Sequence, residues 1–446
     1  MKSSEQQRNW YESLFRKFEK SLNGEAADVF HTRRKEALER FIKSGFPTVH
    51  DEEWRYTDIS PLASTPFQPV LEYKGKSLQP GKVEDYLLGI ENSVVLVDGF
   101  FSREMSRTLR LPSGVRIESL SAVMKKTPDD IAPYLAHLAS NAKSSFAVLA
   151  QAFLRDGVVI VVPENTVVDE PVHLLSLATA GSEPFVIYPR ILIVVGNNAQ
   201  FSLIESHVGM GENVYFTNSA TDFFIGENAV VEHDKVQLES LKAYHISTVS
   251  MHQRRSSTIV SNNITLGGGL TRNDIGVVLD GEGAEATLNG LYLGTERRLI
   301  DNHTTIEHAQ PHCNSHELYK GILSGQSRGV FNGKIFVRKD AQKTDAKQTN
   351  KNLILSDEAS IDTKPQLEIF ANDVKCTHGA TIGQLDEEAL FYLRSRGLGA
   401  DDAKAMLIYA FASDVIDRIS KTTLREHLHG LIHEQLQTGN APGGNR

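Results

Sequence analysis

Cysteine is nearly absent from this sequence, with two residues among 446. Two thiols cannot staple a chain of this length. No disulfide framework is expected, and the chain suits a reducing, cytoplasmic compartment. Long apolar runs are missing too. A membrane-spanning helix needs about 18 or more consecutive apolar residues, whereas the longest aliphatic stretches are of the size of Val158–Val162 and Ile191–Val195. The opening MKSSEQQRNW holds no apolar signal core, so secretion is not expected. Basic excess is also lacking. The formal net charge is −9 with no basic stripe, which argues against nucleic acid as a partner.

What is present is a globular composition, 40% hydrophobic and 23% charged. At ~100–200 residues per domain, the length corresponds to about two to four structural units. Texture divides the chain. Residues 1–150 are helical and mixed: Trp10, Leu14, Phe18 and Leu22 recur every fourth residue. A second helix is expected from Asp28, as cap, to Lys43, stopped by Gly45 and Pro47. A strand is expected at Val94–Asp98. A helix is expected near Ile131–Phe153, with Leu135, Leu138 and Ala142 on one face. Residues 151–385 hold short runs of Val, Ile, Thr and Phe broken by Gly, Asn and Asp, which reads as an all-β unit. Residues 386–436 are helical again. Asp386, Glu387 and Glu388 open one helix, and Leu407, Phe411, Val415 and Ile419 pace another. Residues 437–446 read as a disordered tail.

The β zone carries a loose repeat. A strand ends in a polar turn, an alanine follows, and a new strand begins, at Ala199, Ala229, Ala284, Ala341 and Ala359. The gaps are 30, 55, 57 and 18 residues. The first three are near one or two times ~28, within the ~20–50-residue range of a solenoid. Short strands with small turn residues point to a parallel β-helix. A β-sandwich with coincidental turns is the alternative.

Several clusters offer chemistry. Gly75-Lys76-Ser77 looks like the end of a phosphate loop, but Val70 stands where that loop needs its first glycine. Gly281, Gly283 and Ala286 match a dinucleotide string, yet the following EATLNGLYLG reads as strand rather than helix. The stretch Asp301–Gly321 holds His303, His308, His312, Cys313 and His316, all able to bind zinc or iron. On strands their spacings alternate between faces, which favours polar stacking on the outside of a solenoid over a metal site. Cys376 and His378 are two apart. On a strand they share a face, with Cα atoms roughly 6.6–6.8 Å apart, and a nearby imidazolium would favour the thiolate. No GxSxG elbow occurs. Acids such as Asp274 and Asp280 keep open a groove that cleaves polysaccharide.

Three motifs together resemble the SufB/SufD family of the SUF iron–sulfur cluster assembly system. They are GFPTVHDEEWRYTDISPL (Gly45–Leu62), LIDNHTTIEHAQPHCNSHELYKGIL (Leu299–Leu323) and NDVKCTHGATIGQLDEEALFYLRSRGL (Asn372–Leu398). The resemblance runs from about Phe46 to Ile419. It implies a right-handed parallel β-helix flanked by an N-terminal unit and C-terminal helices. It implies a non-catalytic scaffold that works with SufB and the ATPase SufC, with a homodimer when SufB is absent. His378 matches the cluster-linked histidine of the SufD side, with Cys376 beside it. The C-terminal helices match the SufC dock, which puts Phe391, Tyr392, Arg394, Arg396 and Gly397 at that contact. Within Gln348–Asn352, Asn350 stands where SufB carries a cysteine, and Gly379 stands where SufB carries a glutamate. Both departures remove groups that the resemblance assigns to the SufB cluster site, so a SufB role is not expected. An iron–sulfur cluster takes four ligands, mostly thiolates. Two cysteines 63 residues apart cannot complete that set with thiolates, so a partner is expected to supply ligands. The resemblance implies that this partner is SufB and that the cluster is transient, with none held stably by this chain alone. A stand-alone metal protein built on His303–His316, or a polysaccharide-active β-helix, are the competing readings.

Overall fold

The structure is a computed structural model that describes residues 4–22, 29–73, 75, 78–141, 144–179, 181 and 183–438. Its centre is a flattened β-solenoid. From Arg190 onward, strands in chain order alternate between two facing sheets, so two strands and two turns make one coil. In one sheet, positions 200, 230, 258, 285, 314, 345 and 375 lie in register, a coil of 27–31 residues. All these pairings are parallel. The sandwich alternative, which needs antiparallel pairs, is thereby set aside.

The turn before each of these strands explains the repeat. Asn198, Asn228, Ser256, Gly283, His312 and Lys343 all have φ between 53 and 71°, the left-handed region that Gly, Asn and His tolerate best. Each backbone N–H in this column donates to a carbonyl of the next coil's turn, for example Asn228 to Arg255 and His312 to Gln342. The next residue enters a tight corner and is small and buried: Ala199, Ala229, Ser257, Ala284, Cys313 and Thr344. Of the alanines that marked the repeat, Ala199, Ala229 and Ala284 sit in this column. Ala341 lies within a turn three residues before Thr344, and Ala359 precedes Ser360–Ile369 in the other sheet. Mixing two corners is why the spacing looked irregular.

The solenoid interior is aliphatic along one side, where Phe223, Met251, Ile259, Val277, Ile306 and their neighbours form one cluster. The N-terminal region contributes strands as well as helices. Asn92–Val97, buried along its whole length, pairs parallel with Val172–Ala178. Helices Ser4–Ser21 and Val29–Ser44 press Leu14, Phe18, Ala37 and Phe41 onto Phe146, Leu149 and Phe153. The helix expected over Ile131–Phe153 is two, Ala132–Asn141 and Ser145–Ala152. Ser144 begins the second by accepting the Phe146 N–H on its hydroxyl, which favours a new start over continuation. Asp28 and Ala142, offered as cap and face residue, lie outside the described residues.

Three C-terminal helices, Glu387–Ser395, Ala400–Ile416 and Thr422–Thr438, cover the outer face of one sheet. Asp386 caps the first by accepting from the Glu388 and Ala389 N–H groups. The second buries Ala403, Ile408, Ala412, Val415 and Ile416, so Leu407 and Phe411 flank the packed face rather than centre it. The third adds Leu424, Leu428 and Ile432 to the same cluster with Ile204, Val236, Ile264 and Leu291 of the solenoid. It runs to Thr438, past the expected start of the tail at 437. Residues 439–446 lie outside the described residues. No described helix is long and apolar enough to cross a membrane.

Candidate functional site

The two ends of the solenoid are built differently. At the start, antiparallel strands Phe100–Thr108 and Arg116–Ser119 close the sheets against Asn92–Val97 and Val158–Val162. At the far end, Ser360–Ile369 and Lys375–Gly383 are the last strands, and among the described residues nothing pairs beyond them. Ile369, Phe370 and Ile382 are exposed there. An unpaired edge with apolar side chains is a template for another chain's strand.

Cys376 and His378 lie on this last strand, in register with Ala346 and Gln348. They share the inward-facing side, as their spacing required. Cys376 is half-buried against Ile335, Val337, Ala341 and Ala346, while His378 is exposed. The thiolate expectation is corrected here. Burial, then the Asp345 charge, pushes the Cys376 thiol above its ordinary value, so the isolated chain presents a protonated thiol. Both cysteines are free. Cys313 sits two coils lower, about 9–10 Å along the axis at ~4.8 Å per strand, sealed in a corner with its thiol donating to the Gly281 carbonyl at 3.3 Å.

The histidines of Asp301–Gly321 do not converge. His312 occupies the left-handed turn column and His316 is exposed on the outer face. His308 faces the interior instead of the outside. It lies 2.9 Å from the Ser315 hydroxyl, and burial brings it down to about 4. His303 faces outward and is held by a clasp. No group of three or more metal-ligating side chains that could hold an ion occurs among the described residues. Gly281 and Gly283 lie in a turn that leads into a strand, without the helix a dinucleotide fold needs. Lys76 and Ser77 lie outside the described residues.

The clasp is the stretch Glu52–Thr57, which crosses the outer face of the other sheet. Trp54 is buried with the Arg272 guanidinium 3.7 Å over its ring. Arg272 donates to the Glu53 carbonyl at 2.8 Å and to Asp301 at 2.7 Å, and Thr57 donates to Asp301 at 2.6 Å. Asp274, His303, Asn332 and Lys364 form one column on successive coils. Glu53 reaches His303 and Asn332, and Glu52 reaches Lys364. Burial works against a charged His303, but Asp301, 3.0 Å away, together with Glu53 more than offsets it and holds the imidazole at about 9. Asp274 is thus engaged by Arg272, and Asp280 by Arg254 on the surface.

Sequence reading missed a second cluster inside the solenoid. Glu205 accepts from His207 at 2.6 Å and His233 at 3.0 Å. Lys235 donates to His245 at 3.1 Å and Asn273 at 2.7 Å, and His245 stands 2.7 Å from Glu239. All are buried. Burial alone would raise Glu205, but its two histidines hold it well below the ordinary carboxylate value. Burial lowers Lys235 to about 8 against the pull of Glu205 and Glu239. The available signal was polar residues at every second position, as in Glu205-x-His207 and His233-x-Lys235-x-Gln237. That alternation normally marks a solvent face. Here the faces are inverted, because the C-terminal helices cover the apolar outer residues.

The expected docking residues lie on and just after Glu387–Ser395. Phe391 and Tyr392 are 75% and 57% exposed. Arg394 is exposed, Arg396 donates to the Tyr392 hydroxyl at 3.2 Å, and Gly397 ends the helix at φ 96°.

Comparison with known proteins accords with this architecture. Residues 177–411 match the family described as SUF system FeS cluster assembly, SufBD core domain, and residues 4–174 match the SufBD protein N-terminal region. The chain is 34% identical over 422 residues to an iron–sulfur cluster assembly SufBD family protein of Synechocystis, covering 92% of each. It is 31% identical over 413 residues to the iron–sulfur cluster assembly protein SufD of Escherichia coli, again covering 92% of each. A chloroplastic protein of Arabidopsis thaliana is 29% identical over 413 residues, covering 90% of this chain and 85% of that one. The chain belongs to the SufBD family of the SUF iron–sulfur cluster assembly system.

Proposed function

We propose that this chain is a non-catalytic scaffold subunit of the SufD type. Its open solenoid end pairs with SufB by strand addition, and the nascent iron–sulfur cluster is cargo handled at that junction. The observation that carries this reading is the contrast between the ends. One is capped, and the other leaves an edge strand unpaired with a thiol and an imidazole on the same face. Main-chain pairing supplies affinity in such junctions, and alternate side chains supply specificity. A cluster takes four ligands. Cys376 and His378 offer two at most, so the partner's strand completes the set, and pairing also removes solvent from His378. The aromatic and basic surface of Phe391, Tyr392, Arg394, Arg396 and Gly397 docks SufC, whose ATP chemistry this chain does not supply. The helix that carries most of that surface, Glu387–Ser395, begins four residues after the strand bearing His378 ends at Gly383.

The test is His378→Ala, co-purified with SufB and SufC and reconstituted anaerobically with iron and sulfide. The complex is expected to assemble in normal yield and to accumulate little cluster by visible absorbance. Full cluster yield in the variant complex would overturn the assignment of His378.

A further inference from the structure

Inward-facing positions 261, 288, 317, 348 and 378 stack in register on successive coils. The residues are Ser261, Leu288, Glu317, Gln348 and His378. The last three, nearest the open end, are polar where a solenoid core would normally be aliphatic. Glu317 and Gln348 are 4% and 2% exposed. Gln348 Nε2 donates to Glu317 Oε2 at 2.7 Å, while the Gln348 side-chain carbonyl, also buried, has no partner. A buried amide oxygen without a donor is costly, yet the fold makes room for it. On the facing strand a Cβ at Gly333 would stand 1.8 Å from Gln348 Nε2. Any other residue there would push the amide out of the interior.

Only one coil lies beyond Gln348 in this column, and His378 occupies it. Strands one coil apart are ~4.8 Å from each other, a span that an amide and an imidazole bridge with one hydrogen bond. A carboxylate can only accept. Glu317 therefore fixes which end of the Gln348 amide faces it and leaves the carbonyl for the next coil. Which ring nitrogen of a histidine is bare is set by the hydrogen bond the other one makes. We propose that Gln348 is a positioning residue for His378, held by Glu317 so that its carbonyl takes one ring N–H and leaves the other ring nitrogen free for the cargo. This rests on the reading of His378 as the cargo contact. Burial pushes Glu317 up to about 7, so the accepting carboxylate is the form present above neutral pH.

The experiment uses the full chain, labelled with ring-15N histidine, at pH 8 and without iron. The His378 signals are identified by their loss in His378→Ala. The wild-type ring is expected to hold one dominant tautomer. In Gln348→Met the tautomer ratio shifts about two- to tenfold toward a mixture, the range one ordinary hydrogen bond supports. The buried His233 and His308 keep their shifts, which shows an intact interior. Glu317→Gln, whose amide accepts or donates, gives an intermediate ratio and serves if Gln348→Met does not fold. An unchanged His378 tautomer in either folded variant overturns the proposal. Because no cluster is present, the result is independent of the reconstitution test, and either reading can fail alone.

Discussion

The two ends of the solenoid solve the same physical problem in opposite ways. At the closed end, Phe100–Thr108 and Arg116–Ser119 run antiparallel to the sheets, and Asn92–Val97 is buried at every position. At the open end, Ser360–Ile369 is half-buried along most of its length and Lys375–Gly383 is almost wholly exposed. A bare sheet edge invites pairing, and natural proteins blunt it when pairing is unwanted. This chain blunts one edge and leaves the other, and the proposed junction with a partner rests on that contrast.

The same substitution at both ends tests this contrast and carries the largest expected effect. Val95 is fully buried, whereas Ile382 is 54% exposed. Val95→Asp places an unpaired carboxylate in a dry strand and is expected to abolish folding, because an isolated buried charge costs more than most domains can absorb. Ile382→Asp is expected to change the stability of the isolated chain by no more than about 0.5 kcal/mol and to abolish co-purification with SufB. Urea titration and a pull-down read the two outcomes. An Ile382→Asp chain that still binds SufB would mean that the open edge is not the junction.

The interior repeats the contrast. Toward the closed end it holds ionised groups, with Glu205 between His207 and His233, and Lys235 beside His245. Toward the open end it holds mainly amides: Gln348, Asn350 and Asn352, with Asn352 donating to Asn350 at 2.7 Å. Breaking a buried ionic group by removing one partner costs ~3–5 kcal/mol, whereas leaving one neutral buried group unsatisfied costs about 1–3 kcal/mol. Glu205→Ala is therefore expected to lose more stability than Asn350→Ala in urea unfolding. Equal losses would show that the Glu205 cluster is solvated and not a buried network.

Much of this architecture was legible in the residues. The short aliphatic runs and the loose alanine repeat point to a parallel β-helix, with a sandwich as the alternative, and the spacing of Cys376 and His378 puts them on one face. Other features were illegible for definite reasons. His312 and Cys313 look like metal ligands in a string of histidines. Only coil register shows that one fills a turn column and the other a corner where Ala284 and Thr344 sit above and below. The Glu205 cluster was hidden because helices from the far end of the chain bury the face that alternation would call inward. The clasp joins Glu53 to Asn332 across 279 positions, a separation no local pattern reports.

The clasp offers the finest test, because it supports the open end from outside without covering its edge. Glu52 reaches Lys364 on the last strand of its sheet, and Glu53, Arg272, Asp301 and His303 lock the coils before it. His303 is raised in the folded chain to about 9, above its ordinary value of about 6.5. Its contribution is therefore complete below pH ~6.5 and is lost as pH rises through about 9. Burial opposes the Asp301 charge, but His303 and Arg272 hold that carboxyl down to about 2. Its contribution is present above pH ~3.9 and fades as pH falls through about 2. The clasp is thus tightest between about pH 4 and 6.5. Hydrogen exchange across residues 52–57, corrected for intrinsic rates, is expected to show falling protection from pH 7 to 10 in the wild type. His303→Asn removes that titration, so its protection should start lower and stay flat. The closed-end strand Asn92–Val97 should keep its protection over the same range in both chains. Parallel loss at both ends would mean that the molecule opens as a whole and that the clasp has no separate role.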